Sequence, residues 1–367
     1  MISVVLPCRN EEKTVGACIK RIQETLDGKD YEIIVSDSST DRSPQIAREL
    51  GAKVVKHDKK GYGIAYLEAF KHARGDVIVM GDSDNTYDFS DIPKLLSLLG
   101  EYDLVMGERT DMEPGAMPPL HRYVGNPGLS LMLSVFFGKR IRDAHSGFRA
   151  IKKSALDGLE LKTTGMEFAS EMIIKALKNG LKLKEVPVSY RRRIEKSKLS
   201  SFSDGWRHLR FMLMYAPDYL YLLPGILSFV SGLLLMLVFL GGSLRVWHLT
   251  FYTAPMILGS FLTILGFNII LLGLYAKTFA VSTGFEKKDP LVELLAAHLS
   301  FERGLLLGSS VFAAAITATL VILANWIYSG FFGFKTPNLI IMLFTIAVIG
   351  LQTIFSTVFL SMMLVEK

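Results

Sequence analysis

The sequence predicts an α/β domain built on a mostly parallel sheet, followed by an all-α transmembrane domain of four helices. Three observations carry that reading. Short β-branched runs alternate with amphipathic segments in the first part of the chain; charged residues thin out sharply beyond Tyr219; and four later stretches each reach the roughly 20 apolar residues needed to cross a bilayer. The 367-residue chain is 50% hydrophobic, with a mean hydropathy of +0.33, too apolar for an ordinary soluble protein of this length.

In order, Ile2–Leu6 reads as a strand, Glu11–Leu26 as a helix, Tyr31–Ser36 as a strand and Thr40–Leu50 as a helix. Ala52–Lys56 follows as a strand, Gly63–His72 as a helix and Asp76–Met80 as a central strand. This rhythm predicts a Rossmann-like, mostly parallel sheet. Neither G-x-G-x-x-G nor G-x-x-x-x-G-K-[ST] occurs, so a dinucleotide fold and a phosphate-loop NTPase are not supported. The loops after the strands are acidic and polar instead: Asn10-Glu11-Glu12, Asp37-Ser38-Ser39-Thr40-Asp41 and Asp82-Ser83-Asp84. Acceptors along one sheet edge suit ribose hydroxyls, base-edge donors and a metal. Asp82 and Asp84 stand where open α/β sheets bind ligands, and oxygen ligands of this kind suit Mg²⁺ or Mn²⁺ carrying substrate phosphates.

Plainer readings stand beside these. Asn10 and Glu11 also suit a helix N-terminus, Asp37 and Asp41 a turn or cap, and Gly61 and Gly63 a loop. The two glycines equally suit a segment whose backbone N–H groups approach a diphosphate. Glu167 and Glu171, four apart in the predicted helix Glu167–Leu177, read as one solvated face near its N-terminus.

The chain divides into a domain over residues 1–200, an amphipathic helix over 201–218 and a membrane domain over 219–367, with spans near 219–241, 254–274, 304–328 and 338–364. Phe202–Tyr215 suits a membrane-interface helix or an ordinary packing helix, and the segment from Pro290 through Leu299 leaves the same two options. Asn268 and Gln352 are explained by interhelical hydrogen bonding, and no charged residue falls mid-span, which argues against a proton-coupled transporter or channel. Arg207, Arg210, Lys277, Lys287, Lys288 and Arg303 outnumber Arg245 and Lys335, which places the first domain and both termini in the cytoplasm. Met1–Leu6 is too short for a secretory signal and reads as a strand. Cys8 and Cys18 read as free thiols. The net charge of +6 is concentrated in Tyr190-Arg191-Arg192-Arg193 and Lys196-Ser197-Lys198, just before the membrane, where anionic lipid rather than nucleic acid is the expected partner.

Val4-Val5-Leu6-Pro7-Cys8-Arg9-Asn10-Glu11-Glu12, Asp37 to Asp41, Lys60-Gly61-Tyr62-Gly63, Asp82-Ser83-Asp84, Gly107-Glu108-Arg109 and Ser146-Gly147-Phe148-Arg149 occur in that order. Together they resemble a GT-A family 2 glycosyltransferase of the dolichyl-phosphate mannose and glucose synthase branch, and the four-span tail is similar to that of its membrane-anchored members. The resemblance implies that Pro7, Arg9, Asn10, Glu11, Asp37, Ser39, Gly61, Gly63, Asp82 and Ser83 bind a nucleotide sugar, and that Asp82 and Asp84 hold Mg²⁺ or Mn²⁺. It also implies catalytic roles for Asp84, Arg109, Asp143 and Arg149, and an acceptor-phosphate site formed by Arg109, Ser146, Arg192, Ser197 and Lys198. One departure stands out. Related synthases commonly carry Gln two residues beyond the second Asp, where this chain has Thr86, which leaves the third protein ligand of the metal open.

The implied reaction is inverting transfer of a hexosyl group from a nucleotide sugar to polyprenyl or dolichyl phosphate, with a UDP-sugar preferred and GDP-mannose the alternative. A lipid phosphate is already nucleophilic near neutral pH, so its attack needs charge neutralisation and alignment more than a strong base. A hydroxyl acceptor would need a base, for which Asp143, Glu167 and Glu171 are the candidates. A processive polysaccharide synthase is the alternative enzyme, but the Gln-x-x-Arg-Trp segment of such enzymes does not occur; a non-catalytic membrane scaffold is the alternative of another class. Membrane lipids are expected partners, and a homo-oligomer is compatible with such a chain.

Overall fold

In the computed structural model, which describes residues 1–194, 201–251, 253–283, 288–298, 300–331 and 337–365, the chain divides into two units, Met1–Tyr215 and Ala216–Lys367. The first unit runs β1 (Ile2–Cys8), α1 (Val15–Thr25), β2 (Tyr31–Asp37), α2 (Ser43–Glu49), β3 (Lys53–Lys56), α3 (Tyr62–Phe70), β4 (Val77–Met80) and α4 (Ile92–Leu96). It continues through β5 (Leu104–Met112), α5 (Asn126–Phe137), β6 (Arg149–Lys152), α6 (Lys153–Asp157), α7 (Phe168–Lys178), β7 (Leu183–Tyr190) and α8 (Ser201–Met214).

The seven strands form one sheet in the order β3-β2-β1-β4-β6-β5-β7. All neighbours are parallel except at β6, which runs antiparallel to both β4 and β5. The strands are β-branched on both faces because both faces are covered. Val4, Leu6 and Val35 pack with Ile19 and Ile22 of α1 on one side; Val5, Ile34 and Met80 pack with Tyr66 of α3 and Phe168 of α7 on the other. From β1 the chain winds outward to β2 and β3 on one side, then crosses back through α3 to place β4 on the other side of β1. That switch point opens a crevice beyond the carboxyl ends of β1, β2 and β4, where doubly wound sheets bind ligands. Helix α1 starts four residues later than the expected Glu11, because Glu11 O accepts from the N–H groups of both Thr14 and Val15 in a preceding turn.

The second unit contains α9 (Leu223–Phe239), a short hairpin of β8 (Leu244–Val246) and β9 (Leu249–Phe251), then α10 (Ala254–Ser282), α11 (Pro290–His298), α12 (Phe301–Tyr328) and α13 (Pro337–Val365). Four helices, Asp218–Phe239, Ala254–Ser282, Phe301–Tyr328 and Pro337–Leu364, are long and apolar enough to cross a membrane. The second runs eight residues beyond its expected end at Leu274. Lys277, which falls in the extension, is neutralised by Asp218 and Asp289, each 2.7 Å away, and Asp289 also accepts from the N–H groups of Leu291 and Val292 at the start of α11.

Helices α9 and α10 approach so closely that a Cβ on Gly266 would lie 2.3 Å from Phe229 N, and one on Gly350 of α13 would lie 2.7 Å from Phe312 N of α12. Such contacts replace the hydrophobic driving force that lipid does not supply. Between α10 and α13 the bonds are polar: Gln352 donates to Asn268, and Tyr275 Oη to Ser356 Oγ.

Candidate active site

The crevice is built from the loops after β1, β2 and β4. Register pairs Cys8 with Asp37 at the ends of β1 and β2, so Pro7, Asn10 and Asp37 arrive together. Asn10 adopts the left-handed region (φ 55°), a conformation Asn tolerates better than most residues. Its N–H donates to Ser39 Oγ and its Oδ1 accepts from Thr40 N. Asn10 therefore ties two loops together and does not cap α1. Asp37 is fully buried. Its Oδ1 accepts from Ser39 N, while Oδ2 has no hydrogen-bond partner among the described residues. An orphaned buried carboxylate oxygen at the end of β2 is an acceptor ready for a base-edge N–H. Ser83 Oγ donates to Pro7 O and Ser83 O accepts from Thr14, which fixes the loop between Asp82 and Asp84. Arg9 lies exposed at the mouth of the same loop.

Asp82 is half-buried. Burial and the neighbouring Asp84 carboxylate push its carboxyl up to about 7, against the pull of Arg193 and Arg109 and a hydrogen bond from Tyr62. Asp84 is engaged on both of its oxygens. Its Oδ1 accepts from Thr86 N at 3.1 Å and Thr86 Oγ1 at 2.6 Å. Its Oδ2 faces Arg193, whose second nitrogen meets Glu11 Oε1. Thr86 thus orients Asp84, and the position left open in the sequence is engaged within the protein.

Among the described residues no third metal-ligating side chain converges on this pair. Two crowded carboxylates fit a divalent cation that takes its other ligands from phosphates and water, as Mg²⁺ and Mn²⁺ do. Gly147 completes the wall: its N–H donates to Tyr87 Oη, and a Cβ there would lie 2.7 Å from Tyr62 Oη and 3.0 Å from Asp82 Oδ2.

Arg109, on β5, is locked to Asp143. Its Nε and backbone N–H both donate to Oδ2 and its NH2 to Oδ1, the side-chain bonds at 2.7 Å, and the guanidinium lies over the Tyr190 ring. Burial pushes the Asp143 carboxyl up, but Arg109 outweighs it and holds the group down at about 2. So strong an acid is a poor general base.

Several expectations need correction. Arg149, expected in a catalytic role, is 1% exposed and donates to the carbonyls of Ser146, Ala169 and Ala144; it rivets the Asp143–Gly147 loop from behind. Ser146, expected at the acceptor phosphate, is fully buried in that loop. Gly63 donates its N–H to Gly165 O, and a Cβ on Gly61 or Gly63 would lie 2.2 or 2.3 Å from the carbonyl oxygens of Thr164 and Thr163. These glycines admit a neighbouring backbone, with no N–H of Gly63 left for a diphosphate. Glu171, expected on a solvated face, is fully buried, accepts from Lys162 N and Thr163 N, and pairs with Lys175. Glu167 opens α7 half-buried.

Arg192 is exposed, with its backbone N–H on Glu113. Ser197 and Lys198 lie outside the described residues. Arg193, one of the cations of the basic run, reaches Asp84 and Glu11, and Tyr62 bonds to Asp82, while Tyr87 Oη receives the Gly147 N–H and the Tyr190 ring lies under Arg109; the spacing of these tyrosines carries no signal. Cys8 and Cys18 are buried free thiols, pushed up by burial to about 11 and about 12, and so are inert.

Comparison with known proteins agrees with this architecture. Residues 3–159 match the model of glycosyl transferase family 2, and residues 274–364 that of the family 2 C-terminal transmembrane region. The chain is 41% identical over 363 residues to the low-salt glycan biosynthesis hexosyltransferase Agl6 of Haloferax volcanii, covering 97% of this chain and 87% of that one. It is 34% identical to a dolichyl-phosphate hexose transferase of the same organism, over 56% of this chain and 89% of that one. A dolichol-phosphate mannosyltransferase of Pyrococcus furiosus is 32% identical, over 52% of this chain and 56% of its own. Among solved structures, glucosyl-3-phosphoglycerate synthase of Mycobacterium tuberculosis is similar with a TM-score of 0.49 at 25% identity, over 59% of this chain and 80% of that one. A Rossmann-like, mostly parallel sheet carrying paired carboxylates at its switch point, followed by four membrane-length helices, is thus a GT-A catalytic domain with a transmembrane tail, and the chain belongs to glycosyltransferase family 2.

Proposed function

We propose that this glycosyltransferase transfers a hexosyl group, with inversion, from a nucleotide sugar to a polyprenyl phosphate of dolichyl type. The observation that carries the reading is the Arg109–Asp143 pair: a fixed cation whose carboxylate partner is too acidic to serve as a base. Such a site suits an acceptor that is already ionised, and the names of two relatives, a dolichyl-phosphate hexose transferase and a dolichol-phosphate mannosyltransferase, point the same way.

In the reaction, a phosphate oxygen of the acceptor attacks the anomeric carbon while the bond to the nucleotide diphosphate breaks on the opposite face. Arg109 neutralises and aligns the incoming phosphate. Asp82 and Asp84 would hold Mg²⁺ or Mn²⁺, which supplies charge compensation for the departing diphosphate. Asp37 Oδ2 takes a base-edge N–H, which uracil offers at N3 and guanine at N1 and N2; a UDP-sugar is preferred over GDP-mannose because the segment after Asp84, with Thr86, departs from the pattern of mannose synthases. The excess of Arg207, Arg210, Lys277, Lys287, Lys288 and Arg303 over Arg245 and Lys335 supports a cytoplasmic catalytic domain with both termini on the same side.

The test is the purified full chain with polyprenyl phosphate and a panel of radiolabelled nucleotide sugars, with and without Mn²⁺. Labelled lipid is expected from one donor, dependent on the metal. Label in a water-soluble polymer, with none in lipid, overturns the acceptor assignment.

A further inference from the structure

A chain of hydrogen bonds runs from α8, the last helix of the first unit, to the Arg109–Asp143 pair. His208 of α8 meets Ser170 Oγ of α7 through Nδ1 at 2.8 Å. Ser170 Oγ meets His145 Nε2 at 3.4 Å, and the two imidazole rings stand edge to face with centroids 4.3 Å apart. His145 Nδ1 meets Asn126 Oδ1 at 3.1 Å, and Asn126 Nδ2 donates to Asp143 Oδ1 at 3.0 Å. That Asp143 oxygen is the one that also receives Arg109 NH2. Every residue in the series belongs to the first unit.

The donor and acceptor roles follow from the ends. Ionised Asp143 only accepts, so Asn126 must present its NH₂ there and its oxygen to His145. His145 must then carry its proton on Nδ1, which leaves Nε2 to accept from the Ser170 hydroxyl, and Ser170 in turn accepts from His208 Nδ1–H. One assignment satisfies every link while both imidazoles are neutral. Burial, with His208, Arg109 and Arg149 nearby, holds His145 well below its ordinary range, and Asp143 pulls the other way. The relay has no role in the donor chemistry of the preceding section, since none of His145, Ser170 or His208 contacts Asp82 or Asp84 in any bond described.

We propose that His145 and His208 are positioning residues for Arg109: acting through Ser170 and Asn126, they make the seating of α8 a determinant of acceptor-phosphate affinity. The proposal rests on Arg109 being the acceptor cation. The Asn126 bond is the one described hydrogen bond to the Asp143 carboxylate that does not come from Arg109; losing it lets the carboxylate turn and carry the paired guanidinium away from the geometry that meets phosphate. The effect belongs to binding of the acceptor, with the donor site untouched.

The test has two independent readouts on the full chain in nanodiscs. In kinetics, His145→Ala and His208→Ala are expected to raise KM for polyprenyl phosphate roughly tenfold with kcat and donor KM changed less than about twofold. His145→Asn, whose amide nitrogen falls where Nδ1 lies, is expected to restore most of the affinity, and it remains informative should the alanine variants not fold. In ¹⁵N-histidine NMR, His145 is expected as the Nδ1–H tautomer, with its resonances shifted by His208→Ala and by Asn126→Ala. An Nε2–H tautomer overturns the relay. An acceptor KM that does not move, or donor and acceptor constants that worsen together, overturns the positioning role. If the unaltered chain makes no glycolipid from any donor, the acceptor reading fails and the positioning role with it, while the NMR result still decides whether the relay exists.

Discussion

Arg193 NH1 lies 3.3 Å from Asp84 Oδ2, the one oxygen of that carboxylate not engaged by Thr86. A guanidinium therefore stands where a divalent cation would have to ligate, with its other arm on Glu11. Metal binding must displace it. For a partly exposed pair the competition is worth about 1 kcal/mol, so Arg193→Gln is expected to bind Mn²⁺ roughly fivefold more tightly in the absence of nucleotide. Titration followed by the Mn²⁺ electron paramagnetic resonance signal measures this directly; weaker binding in the variant would show that Arg193 supports the site instead of competing for it.

Asp84→Asn keeps an oxygen for Thr86 and removes the charge. The fold should persist, with an unchanged far-UV spectrum, while Mn²⁺ binding is lost and turnover falls by several kcal/mol of barrier, roughly a thousandfold. Turnover at the unaltered level would instead favour a non-catalytic role for the pair.

The Asp143 carboxyl, held at about 2 by Arg109 against burial, makes a signed prediction about acid stability. A group whose folded pKa is depressed stabilises the fold above its unfolded pKa and loses that contribution as pH falls toward the folded value. The unaltered domain should therefore lose ~2 kcal/mol from this residue between about pH 4 and pH 2. Asp143→Asn should already be destabilised by roughly 3–5 kcal/mol at pH 7, because Arg109 is left buried without its partner. It should also lack that acid limb. Thermal melts across pH compare the two, and parallel curves would contradict the assignment.

Gly147→Ala places a methyl group 3.0 Å from Asp82 Oδ2 and 2.7 Å from Tyr62 Oη. Overpacking of this kind costs about 1–3 kcal/mol. Because the displaced atom belongs to the proposed metal site, Mn²⁺ affinity should fall along with the melting temperature. A variant that melts early but binds Mn²⁺ normally would mean that Tyr62 yields and Asp82 does not.

The main architecture was legible because it is written in local patterns. Val4, Val5 and Leu6 announce a strand buried on both faces, Asp82 and Asp84 follow a strand directly, and four long apolar runs fix the membrane helices. What was hidden depends on partners distant in sequence. Nothing near Arg149 reveals that three carbonyls, one of them Ala169 on another element, will enclose it. Nothing near Gly63 predicts that residues 163–165 will press on it. The reach of α10 past Leu274 needed knowledge that Asp218 and Asp289 meet Lys277, and the solvated reading of Glu171 failed because the Lys162–Thr163 backbone folds over it.

The enclosure of Arg149 bears on how mutational scans of this enzyme are read. Its replacement will abolish activity as thoroughly as replacement of a substrate contact, since the loop bearing Asp143 loses its internal brace and Arg109 loses its anchor. Yet no change of donor, acceptor or metal concentration will compensate, whereas a neighbouring substitution that restores hydrogen bonds to the Ser146, Ala169 and Ala144 carbonyls will. Suppressors of Arg149 variants should accordingly be found along α7 and the loop before β6, in the interior of the domain and away from the crevice.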